Sequence, residues 1–471
     1  MIEYIDKIIQ PVTDVLYFPI LIILLLGTGL FFTFRTRLIQ VRLLKEGLRV
    51  IMERPSEGNG VSSFQALMVS TASRVGTGNI VGVSTALCLG GYGAVFWMWL
   101  VAVIGGASAF IESTLAQIYK RKNLYNQSYG GPAYYIEIAL KNRKLGVIFA
   151  VFLILTYAVG FNMLAAYNMQ DSFRVYEFYD ASVTPILVGG FLSLVTGYCL
   201  FGGGQRIIKF TSFLVPMMGI VFVTMSLIMV ATNLSYMPTV LRLIMQDAFD
   251  FKAIFGGIAG SSMMYGIKRG LYSNEAGIGS APNAAAVAQV SHPVKQGLVQ
   301  MISVFIDTII ICSATAFMCL SSGIVPAPEL SGALYIQMAL GTFMGSWGNY
   351  FITMSLSLFG FTTLIGNLFY VDSNLTYILG KVPRKSIMII YHLIAVVLIF
   401  VGALQEQGFV WHVADLLMAL LALINLPSIL ILSPIAIKVL NDYTKQRRAN
   451  KEPVFIARNI GLDDSLLDFW K

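Results

Sequence analysis

The stretch that decides the fold runs Ser70-Thr-Ala-Ser-Arg-Val-Gly-Thr-Gly-Asn-Ile-Val-Gly82. Apolar residues continue on both sides of it, so it lies inside one long apolar segment. Its centre, Gly76-Thr77-Gly78-Asn79, is poor helix material, because each glycine costs about 1 kcal/mol relative to alanine in a helix. Within a bilayer, non-helical backbone is tolerated only where it is buried in protein or lines a wet cavity. The stretch therefore predicts an unwound patch whose N–H and C=O groups hold a small solute and an ion.

The composition of the chain places this patch in a membrane protein. Of the 471 residues, 56% are hydrophobic and 12% are charged, and the mean hydropathy is +0.74. A soluble chain of this length needs more polar surface, so we predict an all-α integral membrane protein that contacts a lipid bilayer. Long continuous apolar runs disfavour a β-barrel, whose strands alternate in polarity. The net charge of +8 is distributed over loops, and we expect no nucleic-acid partner.

Hydropathy divides the chain into eleven candidate transmembrane helices. They lie at roughly 16–34, 64–90, 92–119, 145–170, 183–201, 211–232, 252–285, 297–322, 346–376, 386–404 and 410–438. Lysine and arginine concentrate in every second loop, beginning with the loop after the first span, whereas the intervening loops are acidic or nearly uncharged. By the positive-inside rule, this asymmetry predicts a multi-pass cell-membrane protein with its N-terminus outside and its C-terminus in the cytoplasm.

The spans also fall into two matching halves. Residues 1–63 supply one extra helix and a cytoplasmic loop, residues 64–232 and 233–438 supply five helices each, and residues 439–471 form a cytoplasmic tail. An odd number of helices per half gives the two halves opposite orientations. Each half begins with a span that glycines interrupt, and broken helices at matching positions of inverted halves are typical of secondary transporters. The alternative is that these glycines only permit close helix packing.

The break in the second span offers partners for both ends of a zwitterion. The half-helix that starts near Asn79 presents unpaired N–H groups, which favour an anion together with the helix dipole. Glycine lets a carboxylate approach the backbone at Gly76, Thr77 and Gly78. The preceding half-helix ends near 72–75, and its carbonyls suit Na⁺ or a substrate ammonium.

The seventh span is expected to supply the complementary groups. The residues predicted to interrupt it are Gly256, Gly257, Gly260, Gly266, Lys268 and Arg269. A carbonyl-bearing half-helix end near Gly260, Ser261 and Ser262 would then face the ammonium of the solute.

Polar side chains inside other spans allow two interpretations each. Thr362 and Thr363 in the ninth span bond back to the preceding turn or offer hard oxygens to a cation. Membrane-buried ionisable groups are functional candidates by default. For Glu112 we favour a structural polar lock, whereas Asp307 either handles a cation or forms such a lock. Arg74 is expected to pair with an acid or to face the cytoplasmic vestibule.

Several blocks of sequence, spread over most of the chain, point to one family. They include Ser73-Arg-Val-Gly-Thr-Gly-Asn-Ile80, Gly130-Gly-Pro-Ala-Tyr-Tyr-Ile-Glu137, Gly266-Ile-Lys-Arg-Gly-Leu-Tyr-Ser-Asn-Glu-Ala-Gly-Ile-Gly-Ser-Ala-Pro282 and His292-Pro-Val-Lys-Gln-Gly297. With these blocks the chain resembles the alanine or glycine:cation symporters. The resemblance implies a LeuT-type fold of two inverted five-helix repeats with one extra N-terminal helix. It also implies a transporter rather than an enzyme, which takes up a small neutral amino acid with sodium by alternating access.

The resemblance further implies which residues bind. The Na⁺ ligands would be carbonyls of Ala72, Val75 and Phe359 and hydroxyls of Thr362 and Thr363. The amino acid would be bound by Gly76, Thr77, Gly78, Asn79, Ser261, Ser262, Met264, Thr363 and Asn367. Protons are the alternative to Na⁺ as the coupling ion, and an ion channel is the alternative class of function, although the sequence shows no pore-lining repeat.

One residue departs from the family pattern. Family members usually carry tryptophan where this chain has Asn367. Exchanging a bulky aromatic ring for an amide enlarges the wall of the pocket and makes it more polar. We therefore hypothesise that the preferred substrate extends beyond alanine and glycine to a larger polar amino acid such as glutamine or serine.

Overall fold

The computed structural model describes residues 2–55, 60–122, 128–202, 204–250, 261–381 and 383–471, and these are almost entirely helical. The first ten helices are α1 (Ile2–Val15), α2 (Ile22–Arg35), α3 (Ile39–Arg42), α4 (Leu44–Ile51), α5 (Ser63–Arg74), α6 (Val83–Gly90), α7 (Ala94–Ile118), α8 (Pro132–Ala139), α9 (Arg143–Ile154) and α10 (Asn162–Asp171). The others are α11 (Thr184–Leu200), α12 (Gly204–Thr232), α13 (Met237–Ala248), α14 (Ser262–Asn274), α15 (Ala281–Val287), α16 (Pro293–Val304), α17 (Ser313–Ser321), α18 (Ala333–Met344), α19 (Ser346–Leu379), α20 (Lys385–Ala403) and α21 (Gln407–Arg448). Strands β1 (Arg121–Lys122) and β2 (Ser128–Tyr129) pair antiparallel.

Widened π-helical turns occur at three places among the described residues: Gly78–Gly82, Leu155–Phe161 and Phe305–Cys312. The last two join neighbouring α-helices into segments that are long enough to span a bilayer, 143–171 and 293–321. The first overlaps the predicted break in the second span. Residues Leu16–Leu21 instead form a kink between α1 and α2, because Phe18 has an extended backbone with φ −120° and ψ 121°.

Eight helical segments of the described residues are long and apolar enough to cross a membrane. The fifth predicted span is the shorter helix α11. The second predicted span and the described part of the seventh are each divided into two short helices. The apolar helix α18 was not among the predicted spans. The last helix continues to Arg448, ten residues beyond the predicted boundary at 438.

The prediction of where the seventh span breaks was wrong for three of its residues. Helix α14 runs without interruption through Gly266, Lys268 and Arg269. Gly266 serves close packing instead, because a Cβ atom there would lie 2.5 Å from the carbonyl oxygen of Ala94. The other predicted interrupting glycines, at 256, 257 and 260, lie outside the described residues.

The described interruption of this span lies farther along the chain, between α14 and α15. Glu275, Gly277 and Gly279 have φ of 53°, 86° and 87°, a left-handed conformation that ends the helix and that glycine adopts without strain.

The two interrupted spans lie side by side and antiparallel. A Cβ atom at Gly78 would come within 2.5 Å of the Tyr272 ring, and one at Gly90 would come within 2.6 Å of Tyr265 Cβ. Helix α19 closes the other side of α5, since a Cβ atom at Gly366 would lie 2.8 Å from a backbone nitrogen of α5. Glycines at these crossings let the helices approach closely. The break in the second span is therefore enclosed by α14 and α19.

Candidate functional site

The second span is interrupted where its glycines predict. Helix α5 begins with a capping box between Ser62 and Gln65 and ends at Arg74. The backbone at Val75 is not helical, with φ −76° and ψ 83°. Helical turns resume with the π-helical turn that begins at Gly78. The short segment 75–77 thus separates two half-helices, and its side chains are buried.

Asn79 connects this interruption to the seventh and eighth spans. Its Oδ1 accepts a hydrogen bond from the N–H of Gly76 at 2.9 Å, and its Nδ2 lies 2.9 Å from Ser273 Oγ and 2.7 Å from Asp307 Oδ1. Asp307 Oδ2 accepts from Ser273 Oγ at 2.7 Å and from Thr308 Oγ1 at 2.8 Å. Asp307 is fully buried, and in this arrangement it forms a polar lock between three spans.

Thr363 and Ala72, both predicted sodium ligands, are in direct contact. The Thr363 hydroxyl lies 3.2 Å from the carbonyl oxygen of Ala72 and 3.4 Å from that of Ser73. A Cβ atom at Gly76 would lie only 2.0 Å from the same hydroxyl oxygen. The ninth span therefore presents a hydroxyl oxygen at the carbonyl-bearing end of α5.

The remaining predicted sodium ligands are arranged differently. Thr362 donates to the carbonyl oxygen of Phe359 at 2.9 Å and approaches Met218 Sδ at 3.7 Å, which is the back-bonding alternative. The side chain of Val75 lines an apolar crevice of about 370 Å³ between α5, α12 and the π-helical turn 305–312. Of the five predicted sodium ligands, Thr363 is hydrogen-bonded to Ala72 and Thr362 to Phe359.

Asn367 lies at the same end of α5 but is engaged by neighbouring polar groups. Its Oδ1 accepts from Ser73 Oγ at 2.6 Å, and its Nδ2 donates to Asn162 Oδ1 at 2.8 Å. Ser73 Oγ also lies 3.2 Å from Glu275 Oε1. The amide that replaces the expected aromatic ring thus links the fourth and ninth spans to both interrupted helices.

The residues predicted to bind from the seventh span lie away from the break in the second span. Ser261 caps α14 by accepting from the N–H of Met264 at 3.2 Å, and Ser262 Oγ lies 3.5 Å from the carbonyl oxygen of Asp247. All three predicted residues, Ser261, Ser262 and Met264, therefore lie at the start of α14. About 16 Å of helix separates Ser262 from Ser273, which contacts the break. The structure does not bring these three residues to 76–79.

The described interruption of the seventh span is the non-helical segment 275–280. Buried carboxylates hold this segment in place. Glu275 accepts from Ser280 Oγ at 2.6 Å. Glu112 accepts from the N–H of Gly277 at 3.3 Å and from Asn425 Nδ2 at 2.8 Å. These contacts agree with the structural lock that the sequence favoured for Glu112.

An aromatic wall, formed by Phe161, Tyr272 and Trp411, lies beside Gly78. The Tyr272 ring packs edge-on against Phe161 and Trp411, with ring centroids 4.8 Å and 5.1 Å apart. None of the three residues is among those predicted from the sequence. Tyr272 lies within a block that carries the family resemblance, whereas Phe161 and Trp411 have no local signal because they come from distant spans.

A buried ion cluster lies about one turn of α14 from Tyr272. Asp415 is inaccessible to solvent and contacts Lys268 Nζ at 3.0 Å. It also accepts two hydrogen bonds from Arg269, at 3.1 Å and 3.2 Å. Arg269 stacks over Trp411, with the guanidinium carbon 3.8 Å from the ring centroid. The charged pair that was predicted to interrupt the helix thus shares a buried counter-ion from α21.

Arg74 is buried, and its charge acts on the nearby carboxylates of Glu112 and Glu275. It is 2% exposed, so it does not face a vestibule. Its Nη1 donates to the carbonyl oxygen of Gln300 at 3.3 Å, and within the described part of the chain it forms no ion pair.

Comparisons with known proteins agree on one family. The chain matches the model of the sodium:alanine symporter family over residues 2–457. It is 42% identical over 457 residues to the probable sodium/glutamine symporter GlnT of Bacillus subtilis (strain 168), covering 97% of this chain and 94% of that protein. It is 39% identical over 475 residues to the putative sodium/proton-dependent alanine carrier protein YrbD of the same organism, covering 97% and 96%.

A solved structure shares the fold. MhsT in complex with L-phenylalanine superimposes with a TM-score of 0.58, covering 81% of this chain and 98% of that one. Because the sequence identity is 12%, this likeness concerns the fold alone.

Proposed function

The chain belongs to the sodium:alanine symporter family, and from this membership we propose how its interrupted helices divide their groups between an ion and an amino acid. The protein is a multi-pass membrane transporter that couples amino-acid uptake to sodium. The observation that carries the assignment of the site is the contact between Thr363 and the carbonyl oxygen of Ala72. It brings a hard hydroxyl oxygen to the negative end of a half-helix, where a cation is favoured.

The proposed sodium site combines α5 and α19. Its ligands are the carbonyl oxygens of Ala72, Val75 and Phe359 and the hydroxyls of Thr362 and Thr363. Each hydroxyl donates its proton to a carbonyl oxygen, and a threonine oxygen that donates one hydrogen bond keeps lone pairs for a cation.

The proposed amino-acid site begins at the next residues of the chain. Because Asn79 already accepts from the N–H of Gly76, the substrate carboxylate is assigned to the N–H groups of Thr77 and Gly78. The carbonyl end of α14, near Tyr272, is the proposed partner of the ammonium, in place of Ser261, Ser262 and Met264. The aromatic wall would cover the apolar part of the substrate.

The proposed architecture is eleven spans with the N-terminus outside and the C-terminus in the cytoplasm of a cell-membrane protein. It comprises an extra leading helix within 1–63, two inverted five-helix repeats at 64–232 and 233–438, and a tail from 439. The antiparallel contact of the two interrupted spans and the likeness to MhsT support this arrangement.

Uptake into liposomes tests the coupling ion. We expect purified protein to accumulate labelled alanine only when an inward sodium gradient is imposed, and to lose this activity when potassium replaces sodium. Accumulation driven by a proton gradient alone would favour the proton-coupled alternative, which the name of YrbD also raises. Passive flux of sodium without any amino acid would favour a channel.

Removing one proposed ligand should weaken sodium binding. For Thr363→Ala we expect the sodium concentration for half-maximal uptake to rise about tenfold, because a hydrogen bond or ligand contact to a charged partner contributes about 1.5–3 kcal/mol. Thr363→Ser is the matched control, since it keeps the hydroxyl and should stay near the parent. Unchanged sodium dependence in the alanine variant would contradict the site.

Asn367 is proposed to widen the range of substrates. A panel of unlabelled amino acids competing with labelled alanine should show inhibition by glutamine or serine as well as by alanine and glycine. Asn367→Trp should lose inhibition by glutamine, because the larger indole would extend into the space proposed for the glutamine side chain. Asn367→Leu separates polarity from volume and should retain part of that inhibition. An exclusive preference of the parent for alanine or glycine would contradict this proposal.

A further inference from the structure

The turn after α2 is fixed to the protein body and directs two side chains outward. Gln40 is buried, and its Nε2 donates to Thr33 Oγ1 at 2.7 Å and to the carbonyl oxygen of Val103 at 3.1 Å. Arg37 and Leu38 have positive φ, 57° and 53°, which turns the chain sharply between α2 and α3. Leu38 is 54% exposed, so the turn presents an apolar and a basic residue side by side.

Helix α4 continues this surface with three distinct faces. Gly47 packs tightly on α16, because a Cβ atom there would lie 2.6 Å from Ile302 Cδ1. The opposite face is apolar but exposed. Its residues are Leu44, Leu48 and Met52, with Val41 preceding them on α3. A basic edge that holds Lys45 and Arg49 borders the exposed face. A helix with an exposed apolar face and a basic edge is typical of one lying in the plane of a membrane interface.

Three arginines from α21, α3 and the turn form an unneutralised cluster beside this helix. Arg42 Nη2 donates to the carbonyl oxygen of Thr36 at 3.1 Å, which holds its guanidinium at the end of α2. Partial burial, followed by the nearby charges of Arg37 and Arg448, lowers the pKa of Arg42. Among the described residues none of the three forms an ion pair. Neighbouring cations are paired, as Arg49 is with Glu46 at 2.9 Å.

We propose that this surface, formed by the turn after α2, helix α4 and the end of α21, binds the headgroup of an anionic phospholipid. The guanidinium groups of Arg37, Arg42 and Arg448 would bind the phosphate, while Leu38 and Met52 contact the upper acyl chain. Arginine is suited to phosphate because it donates two parallel hydrogen bonds.

The bilayer is the partner that this position favours. Phe34, one turn before the cluster, is 73% exposed on a helix that enters the membrane, so the cluster lies at the bilayer surface. The inference rests on the proposed membrane orientation but not on the identity of the transported solute. Lipid bound here would also connect α2 to α21, whose Tyr443 hydroxyl already donates to Glu46 of α4 at 2.5 Å.

Native mass spectrometry of the detergent-solubilised protein can measure the binding of phosphatidylglycerol and phosphatidylcholine separately. We expect phosphatidylglycerol to bind more tightly. Each basic residue near an anionic lipid surface contributes about 1 kcal/mol, or about fivefold in affinity. The triple variant Arg37→Gln, Arg42→Gln, Arg448→Gln should therefore bind phosphatidylglycerol about 100-fold more weakly, with little change for phosphatidylcholine.

A control removes three exposed cations from the end of the loop after α8 and the first turn of α9. The variant Lys141→Gln, Arg143→Gln, Lys144→Gln should keep the affinity of the parent for phosphatidylglycerol. Equal losses in the two triple variants, or no loss in the first, would overturn the proposal. Thermal unfolding of both variants in phosphatidylcholine micelles verifies that they fold. This experiment measures lipid binding and no transport. A negative result would therefore not bear on the proposed symport.

Discussion

Replacing Gly78 with valine is expected to reduce sodium-driven amino-acid uptake to background. A Cβ atom at this position would lie 2.5 Å and 2.7 Å from two carbons of the Tyr272 ring, far inside van der Waals contact. The ring has no room to retreat, because Phe161 and Trp411 pack against it. Overpacking of this kind costs about 1–3 kcal/mol, and the added methyl groups would also cover the N–H groups proposed to bind the substrate carboxylate. Uptake of labelled alanine into proteoliposomes measures the effect.

Gly82 offers a control in the same segment. A Cβ atom there meets no atom closer than 3.8 Å, at the edge of Trp411, so Gly82→Ala should transport like the parent. Thermal stabilisation by added amino acid separates lost binding from misfolding: Gly78→Val should show a cooperative unfolding transition that substrate no longer shifts. Uptake by Gly78→Val with the KM of the parent would show that the carboxylate is bound elsewhere.

The sequence was sufficient where the signal is local. Gly76 and Gly78 are unfavourable in a helix whatever surrounds them, and the chain leaves helical geometry at Val75. The adjacent hydroxyls of the ninth span could be named from spacing and family resemblance, and Thr363 does approach Ala72. Which of the two hydroxyls faces α5 depends on how α5 and α19 cross. The sequences of the two helices do not specify this crossing.

The seventh span was misjudged because its charges have remote partners. Lys268 and Arg269 look incompatible with a membrane helix until Asp415 is brought beside them, 146 positions from Arg269 in the chain. The same reasoning explains Asp307. Its alternatives could not be separated from sequence, because Asn79 lies 228 positions away. The break at 275–280 could have been predicted from Gly277 and Gly279. The prediction instead relied on Gly266, Lys268 and Arg269, which lie upstream within α14.

Asp415→Asn is expected to destabilise the protein strongly. The substitution leaves the charges of Lys268 and Arg269 buried without a counter-ion, and their side chains are 11% and 5% exposed. Removing one partner of a buried ion cluster costs about 3–5 kcal/mol, because the remaining charge stays desolvated. The stacking of Arg269 over Trp411 would also be disturbed. The side chains of the aromatic wall would then rearrange. The temperature of unfolding of the purified protein in detergent should fall clearly, and substrate binding should weaken with it.

The same substitution at a surface pair provides the control. Asp468 contacts Arg121 at 2.8 Å, and their side chains are 34% and 32% exposed, so Asp468→Asn should cost no more than about 1 kcal/mol. The triple variant Asp415→Leu, Lys268→Met, Arg269→Met removes every charge of this cluster and should recover most of the stability that Asp415→Asn loses. If Asp415→Asn unfolds at the temperature of the parent, the two cations must find other partners or water, and the cluster does not hold α14 against α21.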